Sequence, residues 1–274
     1  MAESIRLFRG AFGHVSILHV AGDLVTHAHA EAHIIVWLGG ASGEMTIGRE
    51  TIRLGPALAA GINAFEPHSH ALSQDGAPGL FLAFYLDPTW LRCRYGLPSA
   101  RSVFAGPAIR LEPWLHQAAI SLQDSLDSCD AVGHLVRYEV EGFIDSVIEA
   151  AESGQERPIR TSRSAPDYRV RKAVELMKAN VTQRLCFDEV ARSVGLSRPH
   201  FFALFREQMN LTPNVFWNTL RMEEAVRQLQ CSEESLISVA CNLGFTTQGN
   251  FSRFFRDHAG VPPTVYRSAV RASA

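Results

Sequence analysis

Residues 237–267 read ISVACNLGFTTQGNFSRFFRDHAGVPPTVYR, and this stretch decides the fold of the C-terminal part of the chain. Three phenylalanines recur at the i, i+3 and i+4 spacing of one helical face: Phe251, Phe254 and Phe255. Such a stripe predicts a helix that buries one side. The threonines at 246–247 offer an N-cap for this helix, and Gly260 suits its C-cap.

The residues before Gly244 predict a shorter helix that buries Ile237, Ala240 and Leu243. The second helix is polar on the side opposite its phenylalanines, with Gln248, Asn250, Ser252, Arg253 and Arg256. Two helices joined by a turn that contains glycine, the second with a polar, arginine-bearing face, make a helix-turn-helix. Amide and guanidinium groups on that face provide the donors and acceptors that a DNA major groove requires.

The same pattern occurs earlier, in GLSRPHFFALFREQMNLTP at 195–213. Four of its residues stand fifty positions before Phe251, Phe255, Arg256 and Pro263, namely Phe201, Phe205, Arg206 and Pro213. Asn210 stands where Gly260 stands, and Asn is the next most tolerant residue for a left-handed cap. The chain therefore contains an internal repeat of the helix-turn-helix. A plain helical bundle with a phenylalanine-rich core would not explain two polar faces.

These repeats resemble the AraC family of bacterial transcription regulators. The resemblance covers about residues 167–270 and includes both repeats, the joining helix between them and the GF…F…FFR…G…P…YR run at the end. It implies an all-helical DNA-binding domain with two helix-turn-helix modules. A rigid joining helix around 215–229 would hold the two modules about one turn of DNA, ~34 Å, apart.

The first module departs from the family at one point. Its predicted DNA contacts are Arg198, His200, Phe202 and Arg206. Members of the family usually carry a polar residue where Phe202 stands. Phe202 either contacts thymine methyl groups or packs on a neighbouring module.

The second module matches the base-facing positions of the family better. Its predicted DNA contacts are Thr247, Gln248, Asn250, Ser252, Arg253 and Arg256. Arg253 is the first choice for a guanine contact, whereas Arg206 and Arg256 are expected to reach phosphates, which position the protein without specifying sequence.

The length of 274 residues suggests two domains, and their charges differ. The net charge of −2 conceals an asymmetry, because residues 1–152 carry 9 Arg, no Lys and 17 Asp or Glu, whereas residues 153–274 carry 17 Lys or Arg and 11 Asp or Glu. The basic half suits a polyanion. Five scattered cysteines without a CxxC pair and the lack of an apolar N-terminal signal core predict a reduced cytoplasmic protein without a membrane partner.

The N-terminal half is predicted to be β-rich. Strand patterns occupy 14–20, 33–40, 50–55 and 79–88, and many short strands favour a small barrel or sandwich. Two helices follow. In the second, Val132, Val136, Val140, Phe143 and Val147 form a seam that either holds a homodimer or packs against the barrel of its own chain.

The predicted domains are a sensor and dimerisation domain at 1–151, a polar linker at 152–166 and the DNA-binding domain at 167–274. The last begins with a helix at 168–179. The fold class is therefore an all-β barrel with a helix hairpin, followed by an all-α domain.

Histidines are concentrated in the N-terminal half, and four of them are candidate effector-binding residues: His27, His29, His33 and His68. The first three share parity along a strand, so they are expected to face one barrel interior. The barrel with an HxH motif resembles the cupin fold, the usual sensor domain of AraC regulators. In that resemblance Gly22 and Gly39 flank the motif, His33 takes the place of the usual glutamate, and His68 is the later ligand.

Two occupants are open for this pocket. The preferred one is a small acid, sugar or aromatic compound held by histidine hydrogen bonds, with no cofactor. The alternative is a transition metal such as Zn, Fe, Ni or Cu, which imidazole suits.

These observations predict an effector-responsive transcription regulator that binds operator DNA. The resemblance further implies a homodimer that often activates a promoter through RNA polymerase. The competing interpretation is an enzyme, a metal-dependent cupin with a helical appendage, and it rests on the histidines alone.

Overall fold

The computed structural model describes residues 4–72, 78–96, 103–127, 133–153 and 167–272. Its N-terminal part contains ten strands: β1 (Ser4–Gly10), β2 (Gly13–Val20), β3 (Leu24–His27), β4 (Ala32–Gly40), β5 (Gly43–Ile47), β6 (Glu50–Arg53), β7 (Leu58–Ile62), β8 (His68–Leu72), β9 (Gly79–Leu86) and β10 (Ala108–Arg110). The strand patterns in the sequence correspond to β2, β4, β6 and β9, with ends that shift by at most two residues.

The ten strands form two sheets. One has six strands in the order β1-β2-β9-β4-β7-β10, and the other has four in the order β3-β8-β5-β6. At the centre of the larger sheet β4 pairs with β9, and Ile34 lies opposite Phe84. Both side chains are completely buried. The prediction of a β-rich N-terminal half is confirmed.

The described residues of the N-terminal half include three helices: α1 (Pro88–Tyr95), α2 (Pro113–Asp127) and α3 (Gly133–Ser153). The α3 residues of the predicted seam are buried in one cluster with the six-stranded sheet: Val136, Val140, Phe143 and Val147. Phe143 stacks on Phe84 with ring centroids 5.2 Å apart.

The placement of a dimer seam on this face of α3 is therefore wrong. The other alternative, packing against the chain's own sheet, is what the structure shows. The outer face of the sheet is apolar and must be covered, and α3 is the element that covers it. Val132 lies outside the described residues.

The C-terminal part contains seven helices in its described residues: α4 (Tyr168–Ala179), α5 (Phe187–Ser193), α6 (Arg198–Met209), α7 (Pro213–Cys231), α8 (Leu236–Asn242), α9 (Gln248–Ala259) and α10 (Pro263–Ala272). Two helix pairs, α5–α6 and α8–α9, flank α7. Asn210 and Gly260 end α6 and α9 in the left-handed conformation, with φ of 62° and 74°. The hydroxyl of Thr247 caps α9 by accepting from the Asn250 backbone N–H. No helix in the described part of the chain is long and apolar enough to cross a membrane.

One prediction about α8 is wrong. Ile237 is 60% exposed, whereas Val239, Ala240 and Leu243 are buried. The helix begins at Leu236 after the Ser235 cap, so its inward face follows positions 236, 239, 240 and 243. This i, i+3, i+4, i+7 series places Ile237 outside.

The end of α3 reaches two residues into the predicted linker, and the rest of that linker, 154–166, lies outside the described residues. The helix predicted at 168–179 is present as α4. The bounds of the two domains stay predictions.

The two halves of the chain contact each other closely. The Thr219 hydroxyl on α7 lies 3.1 Å from the Ala28 carbonyl oxygen and 3.0 Å from the Val215 carbonyl oxygen of its own helix, so its one proton is shared between two acceptors. The methyl group of Ala28 belongs to the hydrophobic core of α4–α7. Phe65 packs against the same core, and its ring centroid lies 6.0 Å from that of Phe216. Its φ of 58° is unusual for a bulky residue, so the surrounding contacts must hold this conformation.

Candidate functional site

The polar face of α9 is presented to solvent. Gln248, Asn250, Arg253 and Arg256 are exposed, and Ser252 is half-buried. The Asn250 side-chain amide donates to the Thr246 hydroxyl at 2.9 Å, which fixes it across the start of the helix. Among the residues that the structure describes, neither Arg253 nor Arg256 forms an ion pair, so both guanidinium groups are available to an external anion or base.

The corresponding face of α6 is partly occupied by its own module. Arg198 forms an ion pair with Asp188 at 3.0 Å, and its guanidinium lies 5.4 Å from the ring of Phe202. Phe202 is half-buried, with Phe187 at 5.5 Å between ring centroids. This packing leaves less of the ring for a base contact. His200 and Arg206 are exposed.

The four candidate histidines of the N-terminal half meet in one place, which we call the histidine site: His27, His29, His33 and His68. The ring centroid of His68 lies 4.3 Å from that of His27 and 4.7 Å from that of His33. The ring centroid of His29 lies 5.0 Å from those of His27 and His33. One nitrogen each from His27, His29 and His68 lies within 4.8 Å of the other two.

The strands bring the histidines together differently from the expectation. His27 on β3 and His68 on β8 are directly paired in the four-stranded sheet, whereas His33 lies on β4 of the six-stranded sheet. His29 sits in the connection between β3 and β4. The reason given from shared strand parity is therefore wrong, because the strand ends at His27. The site forms where the two sheets meet.

Backbone carbonyls orient three of these rings. The Nδ1 atoms of His27, His33 and His68 lie 2.7, 3.4 and 2.9 Å from the carbonyl oxygens of residues 25, 31 and 66. A carbonyl only accepts, so at the two short contacts, those of His27 and His68, Nδ1 carries the proton and the neutral ring has an unprotonated Nε2. The Nε2 atoms of His33 and His68 face each other at 3.2 Å.

Burial keeps these imidazoles neutral. It lowers the pKa of His27, His29 and His33 well below 6.5, and the positive charge that neighbouring rings would carry lowers it further. Burial also lowers the pKa of His68 to about 4. At neutral pH the site therefore presents nitrogen lone pairs and no charge.

A cavity of about 230 Å³ lies beside the histidine site, between the two halves of the chain. The N-terminal half contributes His14, His29, Glu31 and Tyr85, and the C-terminal half contributes Met222, Glu223, Gln230, His258 and Tyr266. Sequence reasoning missed most of these residues. They are separated by up to about 250 positions, and no local spacing connects them.

Glu223 is one of two residues lining this cavity that have a buried polar atom without a hydrogen-bond partner in the described part of the chain, and the other is His258. The unpartnered atom of Glu223 is Oε1. Burial raises its pKa to about 7, and the nearby charge of Glu31 contributes to the shift. Burial also raises the pKa of Glu31. The cavity therefore brings together two carboxyl groups that resist ionisation.

Replacing Glu223 with Gln is expected to stabilise the protein at high pH and to leave it unchanged at low pH. Folding raises the pKa of this carboxyl above its ordinary value of 4.5. Below pH 4.5 the group is protonated in both the folded and the unfolded protein, so it does not reduce the free energy of unfolding there. The loss of folding free energy caused by Glu223 grows as the pH rises from 4.5 to about 7 and reaches its full size above about pH 7. We expect a gain of about 2–3 kcal/mol in the free energy of unfolding at about pH 8.5 and none at about pH 4. Urea unfolding at both pH values measures it, with exposed Glu207→Gln as the control; an equal gain at both pH values would contradict the assignment.

Comparison with known proteins identifies the C-terminal helices. Residues 190–269 match the family model described as a helix-turn-helix domain. The transcriptional regulator ArgR of Pseudomonas aeruginosa is 29% identical over 131 residues, which are 47% of this chain and 40% of that protein. The regulatory protein PocR of Salmonella typhimurium is 33% identical over 109 residues, 39% of this chain and 36% of that protein. The chain thus matches about two fifths of the length of these relatives.

A solved structure extends the similarity to the whole chain. A variant of apo ToxT from Vibrio cholerae superposes with a TM-score of 0.58 over 97% of this chain and 100% of that one, at 12% identity. This likeness concerns the fold alone. The C-terminal part of the chain is a helix-turn-helix domain, the class of module defined by the α8–α9 geometry. More particularly it is of the AraC type, as the sequence predicted.

Proposed function

We propose that this chain is a transcription regulator that binds operator DNA through two helix-turn-helix modules, α5–α6 and α8–α9, and responds to an effector in its N-terminal domain. The observation that carries the proposal is that the two helix pairs, α5–α6 and α8–α9, share the same structural features. Each module buries two phenylalanines against α7, ends its second helix in a left-handed residue and turns a polar face outward. The curated relatives are transcription regulators, which favours this function over an enzyme.

The joining helix supports a two-site reading of DNA. At 19 residues α7 is about 28 Å long, close to the ~34 Å between successive major-groove faces. Its fixed length would place α6 and α9 on neighbouring turns of the same face. Arg221 on α7 anchors the second module, because its guanidinium donates to the Leu243 carbonyl and lies 3.7 Å from the ring centroid of Phe245.

We assign base recognition mainly to the second module. Gln248, Asn250, Ser252 and Arg253 lie on the outer face of α9, with Thr247 at its N-cap. Arg256 lies one helical turn after Arg253 on α9, and Arg206 holds the corresponding position on α6. Both arginines are assigned to phosphates. In the first module His200 remains available, whereas Arg198 is already paired with Asp188.

Arg253→Ala is expected to relax specificity at one base position and to cost about 1–3 kcal/mol on the preferred site, as for loss of a bidentate base contact. Arg256→Ala is expected to weaken all DNA sequences alike. Both arginines are exposed on the same helix, so each is the control for the stability effect of the other. Binding to a panel of single-base variants of the site measures the difference, and uniform, equal losses would show that the two roles are misassigned.

The N-terminal half is proposed to be the sensor. Its two facing sheets resemble the cupin architecture, and the histidine site and adjoining cavity provide a buried polar pocket for an effector. The close contact of α7 with residues 28 and 65 gives such a pocket a route to the DNA-binding domain.

A homodimer is also proposed, on a face different from the predicted seam. Trp114, Leu135 and Tyr138 are exposed on the outer side of α2 and α3. Large apolar side chains exposed on the two helices of one hairpin are available for contact with a second chain. The proposed dimer would act in the cytoplasm, with promoter activation through RNA polymerase as the family resemblance implies.

Selection of genomic fragments by the purified protein tests the proposed function. We expect recovery of a small set of sequences with a shared motif upstream of genes, and protection of two adjacent major-groove segments in a footprint. Recovery of fragments without any common motif would contradict sequence-specific regulation.

A further inference from the structure

The cavity between the two halves of the chain presents unpartnered hydrogen-bond acceptors. Glu31, directly before β4, lines it from the N-terminal half, and Glu223 and His258 line it from α7 and α9. The Oε1 atom of Glu223 and the Nε2 atom of His258 are buried and have no hydrogen-bond partner among the residues that the structure describes. His258 is 6% exposed, and its Nδ1 lies 2.7 Å from the Phe254 carbonyl oxygen, so Nδ1 carries the proton and Nε2 remains an acceptor. An occupant that satisfies these atoms must donate hydrogen bonds.

The charges around the cavity favour a cation. Burial raises the pKa of Glu223 to about 7, and the charge of Glu31 adds to the shift. Arg227 also lines the cavity, but its guanidinium donates to both carboxylate oxygens of Glu224, at 2.7 and 2.6 Å. The charge of Lys178 lowers the pKa of Glu223, but its ammonium does not contact Oε1. A positive charge between the two cavity carboxyls would allow both to ionise, because it would replace their repulsion by two attractions.

Apolar side chains form much of the remaining wall and limit the size of the occupant. Ile5 and Leu18 contribute from the N-terminal half, and Met222 and Val226 contribute from α7. The volume of about 230 Å³ is below the range of about 300–1,000 Å³ that holds drug-sized ligands. It exceeds several times the ~30 Å³ that one water molecule occupies. The cavity therefore suits a short hydrocarbon chain with one polar end.

We propose that this cavity binds a small primary amine in its ammonium form, and that this amine is the effector. Glu31 and Glu223 hold the charge, His258 Nε2 accepts an N–H, and the apolar wall holds the hydrocarbon chain. A primary ammonium has three N–H donors and no acceptor, so it matches walls whose unpartnered atoms accept. The role as effector rests on the proposed function, whereas the amine site does not.

Other occupants fit the same walls less well. A carboxylic acid would bring a third negative group to Glu31 and Glu223, and a neutral alcohol or sugar would leave both carboxyls without a countercharge. A metal ion needs ligand atoms that converge. Among the described residues, the imidazole and acidic groups close enough for one ion belong to the histidine site and do not include Glu31, Glu223 or His258. The cavity thus selects an organic cation.

An amine in this position would join the two halves of the chain. Glu31 belongs to the N-terminal half, whereas Glu223 and His258 belong to helices of the DNA-binding domain. The Ala30 backbone N–H already forms a hydrogen bond with Glu223, so the α7 carboxyl meets the segment that leads into β4. The two carboxyls repel each other across this contact when both are ionised, and both attract an ammonium group. A ligand that binds one arrangement of the halves more tightly shifts the chain toward that arrangement.

Calorimetric titration of the full chain tests the site with three compounds that share one hydrocarbon chain and differ in the head group: hexylamine, hexanol and hexanoate. We expect saturable binding of one hexylamine per chain, at least about tenfold tighter than that of hexanol, because hydrogen bonds between charged groups are the stronger ones. Hexanoate should show no saturable binding. Equal affinities for hexylamine and hexanol, preference for hexanoate, or no saturable binding of hexylamine would overturn the inference.

Matched variants locate the amine. Glu223→Gln keeps the size of the side chain and removes its charge, so it is expected to weaken hexylamine binding at least about tenfold and to leave hexanol binding unchanged. Glu31→Gln should act in the same direction. Glu175→Gln is the control, because Glu175 is exposed on α4 and does not line the cavity. An equal loss in the control, an equal loss for hexanol, or an unchanged hexylamine affinity in both cavity variants would refute the assigned site.

The regulatory role is measured separately from the amine site. Hydrogen exchange of the α7 amides around Glu223 should slow when hexylamine binds the wild-type protein and should not respond in Glu223→Gln. Affinity for the selected operator should change with hexylamine in the wild type alone. Amine binding without either response would refute the amine as effector. Failure of the genomic selection to yield a shared motif, while amine binding and the α7 response are intact, would instead contradict the proposed function.

Discussion

Replacing Val140 with Glu is expected to unfold most of the N-terminal domain. Val140 lies in the middle of α3 and is completely buried in the cluster that joins the helix hairpin to the six-stranded sheet. A carboxylate there has no partner, and an uncompensated buried charge costs about 3–5 kcal/mol. A loss of that size consumes much of the stability of a typical domain. Urea unfolding followed by circular dichroism measures the loss.

Arg137→Glu is the matched control on the same helix, because it also introduces a carboxylate but is not one of the residues proposed for dimer contact. Arg137 is exposed, so the substitution should change the free energy of unfolding by no more than about 0.5 kcal/mol. If instead Val140→Glu kept its stability and only the oligomeric state changed in light scattering, the seam would be an interface between chains, contrary to the packing of α3.

DNA binding by the C-terminal fragment, from about residue 160, is expected to fall steeply with salt. Residues 153–274 carry a net charge of +6, and the exposed faces of α6 and α9 bear Arg206, Arg253 and Arg256. About four to six phosphate contacts would reduce affinity by about 10²–10³ between about 50 and 200 mM salt, because bound counterions are released. Fluorescence anisotropy with a labelled site measures the slope.

The slope of log affinity against log salt concentration reports the number of phosphate contacts. Arg206→Ala should make this slope shallower by about one unit, whereas Glu207→Gln, at the next position on α6, should leave the slope unchanged or make it steeper. The fragment also tests DNA binding separately from the proposed effector response, because it lacks the N-terminal half. An affinity that does not depend on salt would contradict a phosphate-contacting role for these faces.

Local patterns were sufficient for much of the C-terminal half. The stripe with Phe251 and Phe255, the caps at Thr247 and Gly260 and the repeat around Phe201 are all encoded within about fifteen residues each. Their outcome depends on helical periodicity and on backbone conformation at single positions, which short segments determine. The same reasoning failed for Ile237, because a seven-residue helix offers too few positions to fix which face turns inward.

Packing between distant segments decided which surface covers α3 and how the histidine site forms. The valine spacing of α3 predicted a buried face but not the surface that covers it, since an intramolecular sheet and a second chain satisfy the same apolar stripe. The sequence likewise indicated which histidines belong together, but the reason lay in the meeting of two sheets and not in one strand.

The amino-acid sequence by itself therefore determined the class of the DNA-binding domain, the β-rich character of the N-terminal half and the residues of the histidine site. Only the tertiary structure decided that Glu223 and His258 adjoin that site and that Ala28 joins it to α7. The physical reason is the range of the interactions. Helix propensity and capping act over a few residues, whereas burial and hydrogen bonding between distant segments depend on how the whole chain packs.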